Sequence, residues 1–318
     1  MQALQFSRTG DLAALQLVEL PDPVPAAGEV LIQVKAAGLN PSDVKNVLGR
    51  FPYTTLPRVP GRDFAGVVVQ GPAELVGREV WGTGKEPGFF RDGSHASLLT
   101  LPATGVALKP QSLSFAQAAS LGVPYTTAWD ALQRSQVGEG TRVLVIGAGA
   151  VGLAALNLAQ VRGAQVLVAV RRAEQAEALR RQGFQALVLQ APEALGEQVQ
   201  AVFAGGAEVI FDTTGFWLPA AVAGLAQFGR IAIIAAPLDG QVQLPALALY
   251  RKGGSVVGVN SLLYDSAACA RMLEQVGRYF DEGRLPLPQG VVQAPLSEGL
   301  ARYAEVNSGA CDKVVLVP

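Results

Sequence analysis

The 318-residue sequence predicts an α/β protein that joins a mainly β region to a doubly wound parallel sheet. Short β-like runs separated by turn residues fill the N-terminal third of the chain. From Thr141 onward, nearly all-apolar strands alternate with helical stretches, which is typical of a parallel sheet covered on both faces. The chain ends in a further β-like run, KVVLVP (313–318), which could complete the first region.

The N-terminal region is predicted to be a β barrel or sandwich. Gly and Pro divide it about every 8 to 12 residues, the spacing of all-β folds. Its clearest strand-like runs are EVLIQVKAAGL (29–39), FAGVVVQG (64–71) and REVWGTG (78–84). Residues 114–135 then show helical spacing interrupted by Pro124, which predicts a helix–turn–helix passage between two domains.

The strand–helix alternation begins with RVLVIG (142–147) and a helix that Gly163 ends. Later strands are predicted at 165–170, 185–189, 208–212, 230–236 and 255–259, and helices at 173–183 and 266–283. We expect a discontinuous first domain of residues 1–122 and 264–318, and a second domain of residues 123–263. The length suffices for two domains with separate cores.

Composition narrows the function classes. Half of the residues are apolar and 16% are charged, which indicates a globular protein and argues against disorder. Lys plus Arg total 25 against 26 Asp plus Glu, so charge gives no reason to expect nucleic acid or an anionic membrane as partner. The N-terminus shows no secretory signal, and the apolar run 143–161 fits a buried strand and helix, so a cytoplasmic location is expected.

Zinc ligation is not expected from the residue inventory. Zinc sites draw chiefly on Cys and His, and the chain has two cysteines and one histidine. Cys269 and Cys311 are not in a CxxC arrangement and are expected to be reduced thiols. His95, in the strand-like DGSHASL, is expected to be structural.

A glycine motif predicts a dinucleotide site. Residues 147–152 read GAGAVG, a complete G-x-G-x-x-G that follows an apolar strand and opens a helix. Gly147 permits the tight turn, Gly149 lets backbone approach a pyrophosphate, and Gly152 allows close packing of helix against strand. Ala150 and Val151 start the helix, whose N-terminus favours phosphate. A glycine turn without a ligand is the alternative.

The residues after the second strand of this unit favour NADPH over NADH. An NAD-binding protein usually has Asp or Glu there, whereas this chain has Arg171 and Arg172 and no acidic residue before Glu174. Arginine can donate two parallel hydrogen bonds to a 2′-phosphate, which a carboxylate would repel. Two solvated arginines at a helix start are the alternative.

Two further loops follow predicted strands. Ligands of open parallel sheets lie beyond the carboxyl ends of the strands. The segments 213–215 (Thr213, Thr214 and Gly215) and 235–237 (with Pro237) are therefore expected to line the nicotinamide groove. Plain turn residues are an equally open interpretation.

The chain resembles the zinc-free quinone oxidoreductase and enone reductase branch of the medium-chain dehydrogenase/reductase superfamily. The resemblance spans the whole chain and rests on ordered segments: 36–52, 56–68, 88–98, 122–132, the glycine motif and the terminal DKVVLVP. It implies a GroES-like catalytic domain, a Rossmann domain and no zinc. Zinc-dependent relatives have a cysteine ligand where this chain has Asn40, and a His-Glu pair where it has Arg62 and Asp63.

The resemblance also implies roles for individual residues. Lys45 would be a donor near the nicotinamide ribose and the substrate carbonyl, and Tyr53 would be a substrate-side aromatic residue or a proton donor. Asn40 and Asp43 would position these groups or the ribose hydroxyls. Arg62 would contact an anionic substrate or pair with Asp63. Cofactor contacts are implied at Thr127, Asn260 and Lys313.

Without zinc, the expected acceptor is one whose anion is delocalised, a quinone or an α,β-unsaturated carbonyl compound. An NADPH-binding redox sensor or structural protein without turnover is the alternative. Short-chain dehydrogenases are excluded, because no tyrosine has a lysine four residues later. A homodimer is expected because residues 255–264 could form an exposed edge strand.

Overall fold

The computed structural model describes residues 1–309 and 313–318, so the predicted thiol of Cys311 lies outside the described residues. Contacts divide the chain into two compact units. The first unit comprises Met1–Thr126 and Ser261–Pro318, and the second comprises Thr127–Asn260. The sequence-based borders lie at 122/123 and 263/264.

The described residues contain fifteen strands. They are β1 (Gln2–Phe6), β2 (Leu15–Glu19), β3 (Glu29–Gly38), β4 (Asp63–Gln70), β5 (Glu79–Gly82), β6 (Leu98–Pro102), β7 (Ala107–Leu108), β8 (Arg142–Ile146), β9 (Gln165–Val170), β10 (Gln185–Val188), β11 (Ala207–Asp212), β12 (Leu225–Ile233), β13 (Ser255–Gly258), β14 (Val292–Pro295) and β15 (Val314–Val317).

Ten α-helices accompany these strands within the described part of the chain. They are α1 (Pro41–Val47), α2 (Phe115–Ala119), α3 (Gly122–Arg134), α4 (Ala150–Val161), α5 (Ala173–Arg181), α6 (Leu195–Val202), α7 (Leu218–Gly224), α8 (Ala246–Arg251), α9 (Ser266–Asp281) and α10 (Gly299–Asn307). None of the helices described is long and apolar enough to cross a membrane.

The second unit is built on a six-stranded sheet in the order β10-β9-β8-β11-β12-β13. Every pairing in it is parallel. This order is the doubly wound arrangement, in which the strand sequence reverses between β8 and β11. The fully buried face of β8 and β11 packs with α6 and α7, through Leu144, Ile210, Val199 and Val222. The predicted parallel sheet is confirmed.

The first unit contains a seven-stranded sheet and the separate antiparallel pair β1–β2. Its long strand β3 pairs antiparallel with β4, β6 and β15. Val315 on β15 lies opposite Gly38 on β3, so the predicted C-terminal strand does complete the N-terminal sheet. That pairing brings the residues beside Val314 to the end of β3, where α1 begins.

The passage at 114–135 differs in one detail from the prediction. It forms two helices as expected, but the break falls at Ser120 and Leu121, between α2 and α3. Pro124 lies in the first turn of α3, where the missing N–H of proline leaves no helical hydrogen bond unmade. The prediction that the helix is interrupted at Pro124 was therefore wrong.

Candidate active site

The glycine loop follows β8 in the second unit and is shaped by close backbone approach. Gly147 has φ +94°, and a Cβ there would lie 2.5 Å from Thr213 Oγ1. A Cβ on Gly152 would lie 2.1 Å from the carbonyl oxygen of Gly147. Glycine is therefore required at both positions for α4 to start against β8.

Gly149 differs from its two neighbours in the motif. It is the exposed N-cap residue of α4, and a Cβ there would meet no described atom within 4 Å. The open space lies at the helix N-terminus, where the first N–H groups have no intrahelical acceptor. This geometry fits a pyrophosphate held by the backbone of Ala150 and Val151 and by the positive end of the helix dipole.

Thr213 lies beside the glycine loop at the point where the strand order reverses. Its backbone N–H and its hydroxyl both donate to the carbonyl oxygen of Ile146, at 3.1 and 2.8 Å. β8 and β11 therefore end side by side, and Thr213 joins their carboxyl ends. Ligands of doubly wound sheets bind at this crevice.

Asp212, which the sequence reading passed over, organises the loop after β11. Its buried carboxylate accepts hydrogen bonds from Thr214 N (2.9 Å), Thr214 Oγ1 (2.7 Å), Gly215 N (3.2 Å) and Trp217 N (2.8 Å). An Asp at the last position of an apolar strand was the available signal, because Asx side chains bond backbone a few residues ahead.

Gly215 brings the next loop close to this one. It has φ +82°, and a Cβ there would lie 2.6 Å from the carbonyl carbon of Ala235. The loop containing Pro237 thus lies against the loop that Asp212 organises. The structure assembles Gly147, Thr213, Gly215 and the Pro237 loop at one edge of the sheet.

Arg171 and Arg172 follow β9 directly and are both exposed. Arg172 is the N-cap residue of α5, and Glu174 in its first turn is the nearest acidic residue after the strand. Thr127 is buried in α3, whereas Asn260 is exposed at the end of the second unit. The cofactor roles of these four residues stay predictions.

A polar cluster, defined here as Asn40, Asp43, Asp63 and Lys313, lies in the first unit where β3, α1 and β15 meet. Asn40 Nδ2 donates to Asp63 Oδ2 at 2.9 Å, and Lys313 Nζ donates to Asn40 Oδ1 at 2.6 Å. The backbone N–H of Asn40 donates to Asp43 Oδ2 at 2.8 Å. Asn40, Asp43 and Asp63 are all buried.

Burial dominates the electrostatics of the polar cluster. Desolvation raises the pKa of Asp43 to about 7, against the lowering effect of the hydrogen bond from the Asn40 backbone; the nearby Asp63 charge adds to the rise. Desolvation lowers the pKa of Lys313, and the Asp63 and Asp43 carboxylates oppose that shift. Lys313 Nζ also lies 4.0 Å from Asp63 Oδ2.

Arg62 does not form the ion pair with Asp63 that was one of its two expected roles. Its buried guanidinium donates instead to the carbonyl oxygen of Gly84 (2.8 Å) and to Ser261 Oγ (3.0 Å) and O (3.4 Å). Asp63 is served by Asn40, Lys313 and the Val123 N–H. Arg62 directly precedes β4, and its guanidinium and the Asp63 carboxylate bind separate sets of partners.

Lys45 and Tyr53 are the two expected donors outside the polar cluster. Lys45 is exposed on α1. Tyr53 is 39% exposed and belongs to a group of aromatic rings in which it stacks on Phe90 at 5.7 Å between centroids and contacts Phe51 and Phe89. Burial raises the pKa of Tyr53, and the Arg62 charge opposes this. The ring is thus held by neighbouring rings and remains partly exposed.

His95 is engaged on both ring nitrogens inside the first unit. Nδ1 lies 2.8 Å from the Tyr303 hydroxyl and Nε2 lies 3.3 Å from the Gly38 carbonyl oxygen. Burial lowers the pKa of His95 to about 4, against the hydrogen bond to Gly38. Burial likewise raises the pKa of the Cys269 thiol to about 12, which disfavours the reactive thiolate.

Comparison with known proteins identifies the family. A family model described as an alcohol dehydrogenase GroES-like domain matches residues 26–111, and one described as zinc-binding dehydrogenase matches residues 150–277. A zinc-type alcohol dehydrogenase-like protein of Schizosaccharomyces pombe is 36% identical over 276 residues, covering 85% of this chain and 81% of that protein. The chain belongs to the medium-chain dehydrogenase/reductase superfamily. The GroES-like and Rossmann domains predicted from the resemblance are confirmed.

Two further comparisons bear on this medium-chain dehydrogenase/reductase. An NADPH-dependent alkenal/one oxidoreductase of Arabidopsis thaliana is 37% identical over 195 residues, which cover 58% of this chain and half the length of that protein. A mycobacterial protein whose structure is described as a complex with NADPH matches with a TM-score of 0.85 and 25% identity, over the full length of both chains. The superfamily places the protein among oxidoreductases.

The name of the second family model raises the question of zinc in this superfamily member. Within residues 1–309 and 313–318, His, Cys, Asp and Glu side chains form no group of three that could hold a metal ion. At the positions where zinc-dependent relatives have ligands, Asn40 presents an amide bonded to Asp63 and Lys313, Arg62 presents a cation, and Asp63 presents a carboxylate that accepts from Asn40 and the Val123 N–H. One carboxylate beside a carboxamide and a guanidinium does not supply the three or four anionic or imidazole ligands of a zinc site, so these residues do not fit the metal.

Proposed function

We propose that this protein is a zinc-independent, NADPH-dependent oxidoreductase that reduces a quinone or an α,β-unsaturated carbonyl compound. The observation that carries the proposal is the hydrogen-bonded group of Asn40, Asp63 and Lys313, in which Asn40 and Asp63 stand where zinc-dependent relatives have metal ligands. A network of this kind supplies directed donors and fixed charge, and it supplies no Lewis acid.

The cofactor preference is supported by two features of the second unit. The glycine loop leaves open space at the N-terminus of α4, and the exposed residues Arg171 and Arg172 follow β9 directly, with no acidic residue before Glu174. Arginine recognises a phosphate monoester with two parallel hydrogen bonds. The NADPH named for the Arabidopsis relative and for the mycobacterial structure supports the same choice.

The acceptor class follows from charge development. NADPH, when bound, supplies a hydride. In an isolated ketone, hydride addition leaves a full negative charge on one oxygen, which zinc stabilises in metal-dependent relatives. In an enone, hydride addition to the β-carbon moves the C=C electron pair into a delocalised enolate, and a solvent proton then completes the saturated ketone. Hydrogen-bond donors alone can stabilise that weaker charge.

The chain's own residues divide these tasks. The second unit binds the dinucleotide through residues 147–152, Thr213, Gly215 and the arginine pair. In the first unit, Asn40 donates toward the acceptor oxygen, Lys45 is a second candidate donor, and the partly exposed ring of Tyr53 binds a flat conjugated system.

A homodimer is the proposed assembly. β13 is the outermost strand of its sheet among the described residues, and Val256 on it is 37% exposed. An exposed edge strand can pair with its copy. Gel filtration of wild type and of Val256→Lys tests this, and we expect the variant to shift toward the monomer; identical elution of both as monomers would refute the dimer.

The test of the activity uses a matched pair of acceptors. Purified protein with NADPH is given methyl vinyl ketone or benzoquinone, and butanone, the saturated analogue of the enone, is the control. We expect loss of NADPH absorbance with a conjugated acceptor and none with butanone, unchanged by a metal chelator. Binding of NADPH without turnover on any conjugated acceptor would favour a redox sensor instead.

A further inference from the structure

The orientation of the Asn40 carboxamide is set by two opposite charges. We propose that Lys313 and Asp63 are positioning residues that lock this carboxamide so that one N–H of Nδ2 is presented to the acceptor oxygen. The proposal rests on the proposed function and extends it. It assigns a role to Asp63, and it assigns Lys313 a role in positioning Asn40 instead of a role in binding the cofactor.

The hydrogen bonds of the Asn40 side chain fix the positions of its oxygen and its nitrogen. Oδ1 accepts from the Lys313 ammonium at 2.6 Å, and Nδ2 donates to the Asp63 carboxylate at 2.9 Å. Rotating the amide by half a turn would place its NH₂ group against the ammonium and its oxygen against the carboxylate. Both contacts would become repulsive, and both involve a charged group in a buried setting where electrostatic interactions are strong.

This arrangement leaves one donor unused. Nδ2 carries two hydrogens, and among the described residues only Asp63 accepts from it. Asn40 is 3% exposed, so its second N–H is a buried donor without a described acceptor. Buried polar groups are nearly always paired, and an exception at a candidate site calls for a ligand or a catalytic role.

The partners of Asn40 are themselves fixed. Asp63 Oδ1 accepts from the Val123 N–H at 2.8 Å, and the carboxylate packs against Gly122, where a Cβ would lie 2.4 Å from Oδ1. Lys313 Nζ also donates to the Leu39 carbonyl oxygen at 3.3 Å, and the Asn40 backbone is held by Asp43. The amide is thus held by groups that cannot easily move, as preorganised donors require.

Exchanging the side chains at positions 40 and 63 separates the loss of the N–H donor from a loss of stability. N40D alone places two carboxylates next to each other and should lower the melting temperature. The double variant N40D/D63N restores one acid and one amide, with the Lys313 partner kept, and should recover stability. We expect its kcat with methyl vinyl ketone to stay roughly 100-fold below wild type, since a directed donor is gone, with the NADPH dissociation constant unchanged. A double variant with wild-type kcat would overturn the proposal.

Variants of Lys313 separate positioning from cofactor binding. K313M should lower kcat about tenfold while the NADPH dissociation constant changes by less than about twofold, and K313R should recover most of the rate. K109M is the matched control, since Lys109 is a nearly buried lysine that forms an ion pair with Glu79 in the same unit; it should alter stability and leave kcat unchanged. A K313M that weakens NADPH binding at least tenfold with kcat intact would show a cofactor role and overturn ours.

The wild-type assay keeps the two proposals apart. If wild type turns over no conjugated acceptor, the proposed function fails and the positioning role fails with it. If wild type is active and the exchanged pair is equally active, only the positioning role fails.

Discussion

The glycine loop of the second unit and the polar cluster of the first unit are built on different length scales. The loop has its three glycines within six positions, Gly147 to Gly152, and Gly152 packs directly on the backbone of Gly147. The cluster joins Asn40 to Lys313, 273 positions apart. The loop's conformation is therefore encoded locally, whereas the cluster exists only after β15 has paired with β3.

The arginines of the two units show the same contrast. Arg171 and Arg172 are exposed at the start of a helix, on the surface of the second unit. Arg62 is 1% exposed and has given its hydrogen bonds to Gly84 and Ser261. Residue type alone thus does not distinguish a ligand-binding arginine from a structural one; burial and partners do.

A substitution at Gly152 should have the largest effect, and it tests whether the glycine loop depends on close contacts within its own backbone. In Gly152→Ala the new Cβ would lie 2.1 Å from the Gly147 carbonyl oxygen, so backbone must move. We expect NADPH binding to weaken by at least about 100-fold and the melting temperature to fall. Both are measured by fluorescence titration and thermal unfolding.

Two other glycines serve as controls for that substitution. Gly149→Ala enters open space and should keep the melting temperature while weakening NADPH binding. Gly138→Ala also enters open space, in the turn before β8, and should change neither quantity. Equal NADPH affinity in Gly149→Ala and wild type would contradict the pyrophosphate assignment.

Asp212 tests how much the loop after β11 depends on one side chain. Asp212→Ala removes an acceptor of four hydrogen bonds at a buried position. We expect the free energy of unfolding to fall by about 4 kcal/mol, because several donors lose their partner at once. Asp239→Ala, an exposed turn carboxylate that accepts from the Gln241 N–H, is the control. A decrease in the free energy of unfolding no larger than in this control would show that the loop after β11 does not depend on the Asp212 side chain.

The sequence predicted what local patterns encode. The strands β8 and β9, the helix α4 between them and the glycine loop follow from apolar runs and glycine positions within about thirty residues of one another. The position of the break before α3 was wrong, because a proline in a first helical turn resembles one that ends a helix. Asp212 was missed because its hydrogen bonds depend on the turn conformation.

The polar cluster shows where sequence reading reaches its limit. Asn40 and Asp43 could be singled out because the family resemblance covers the segment 36–52, which contains both. The pairing of Lys313 with Asn40, and the turning of Arg62 away from Asp63, depend on strand pairing and on side-chain direction across distant segments. Long-range contacts of this kind leave no periodic signal in one sequence.

The pH dependence of stability tests the effect of burial on Asp43 in the polar cluster. Its pKa is raised from 3.8 to about 7 by burial, so the protonated form favours folding and this contribution is lost as the pH rises toward and through about 7. Asp43→Asn stays neutral and can still accept from the Asn40 N–H. The stability of the variant relative to wild type should therefore increase by roughly 2–3 kcal/mol between about pH 5 and pH 8.

The difference between variant and wild type is the quantity to measure, by denaturant unfolding at each pH. His95 has the opposite pH dependence, because burial lowers its pKa to about 4. Its contribution to the free energy of unfolding therefore increases as the pH rises from about 4 to about 6.5. Its contribution is common to both proteins and cancels in the difference. A difference independent of pH would contradict the raised pKa of Asp43.

The arginine pair should give the smallest free-energy change, because an exposed guanidinium gains less from a ligand than a buried group loses with its partner. Arg171→Ala with Arg172→Ala should weaken NADPH binding about ten- to a hundredfold, equivalent to one charge-assisted contact, and leave NADH binding and the melting temperature nearly unchanged. Arg180→Ala with Arg181→Ala, at the other end of α5, is the matched control for loss of charge on that helix. Parallel losses for NADPH and NADH would mean that the pair attracts any dinucleotide by its charge, and raising the salt concentration would then abolish the effect for both.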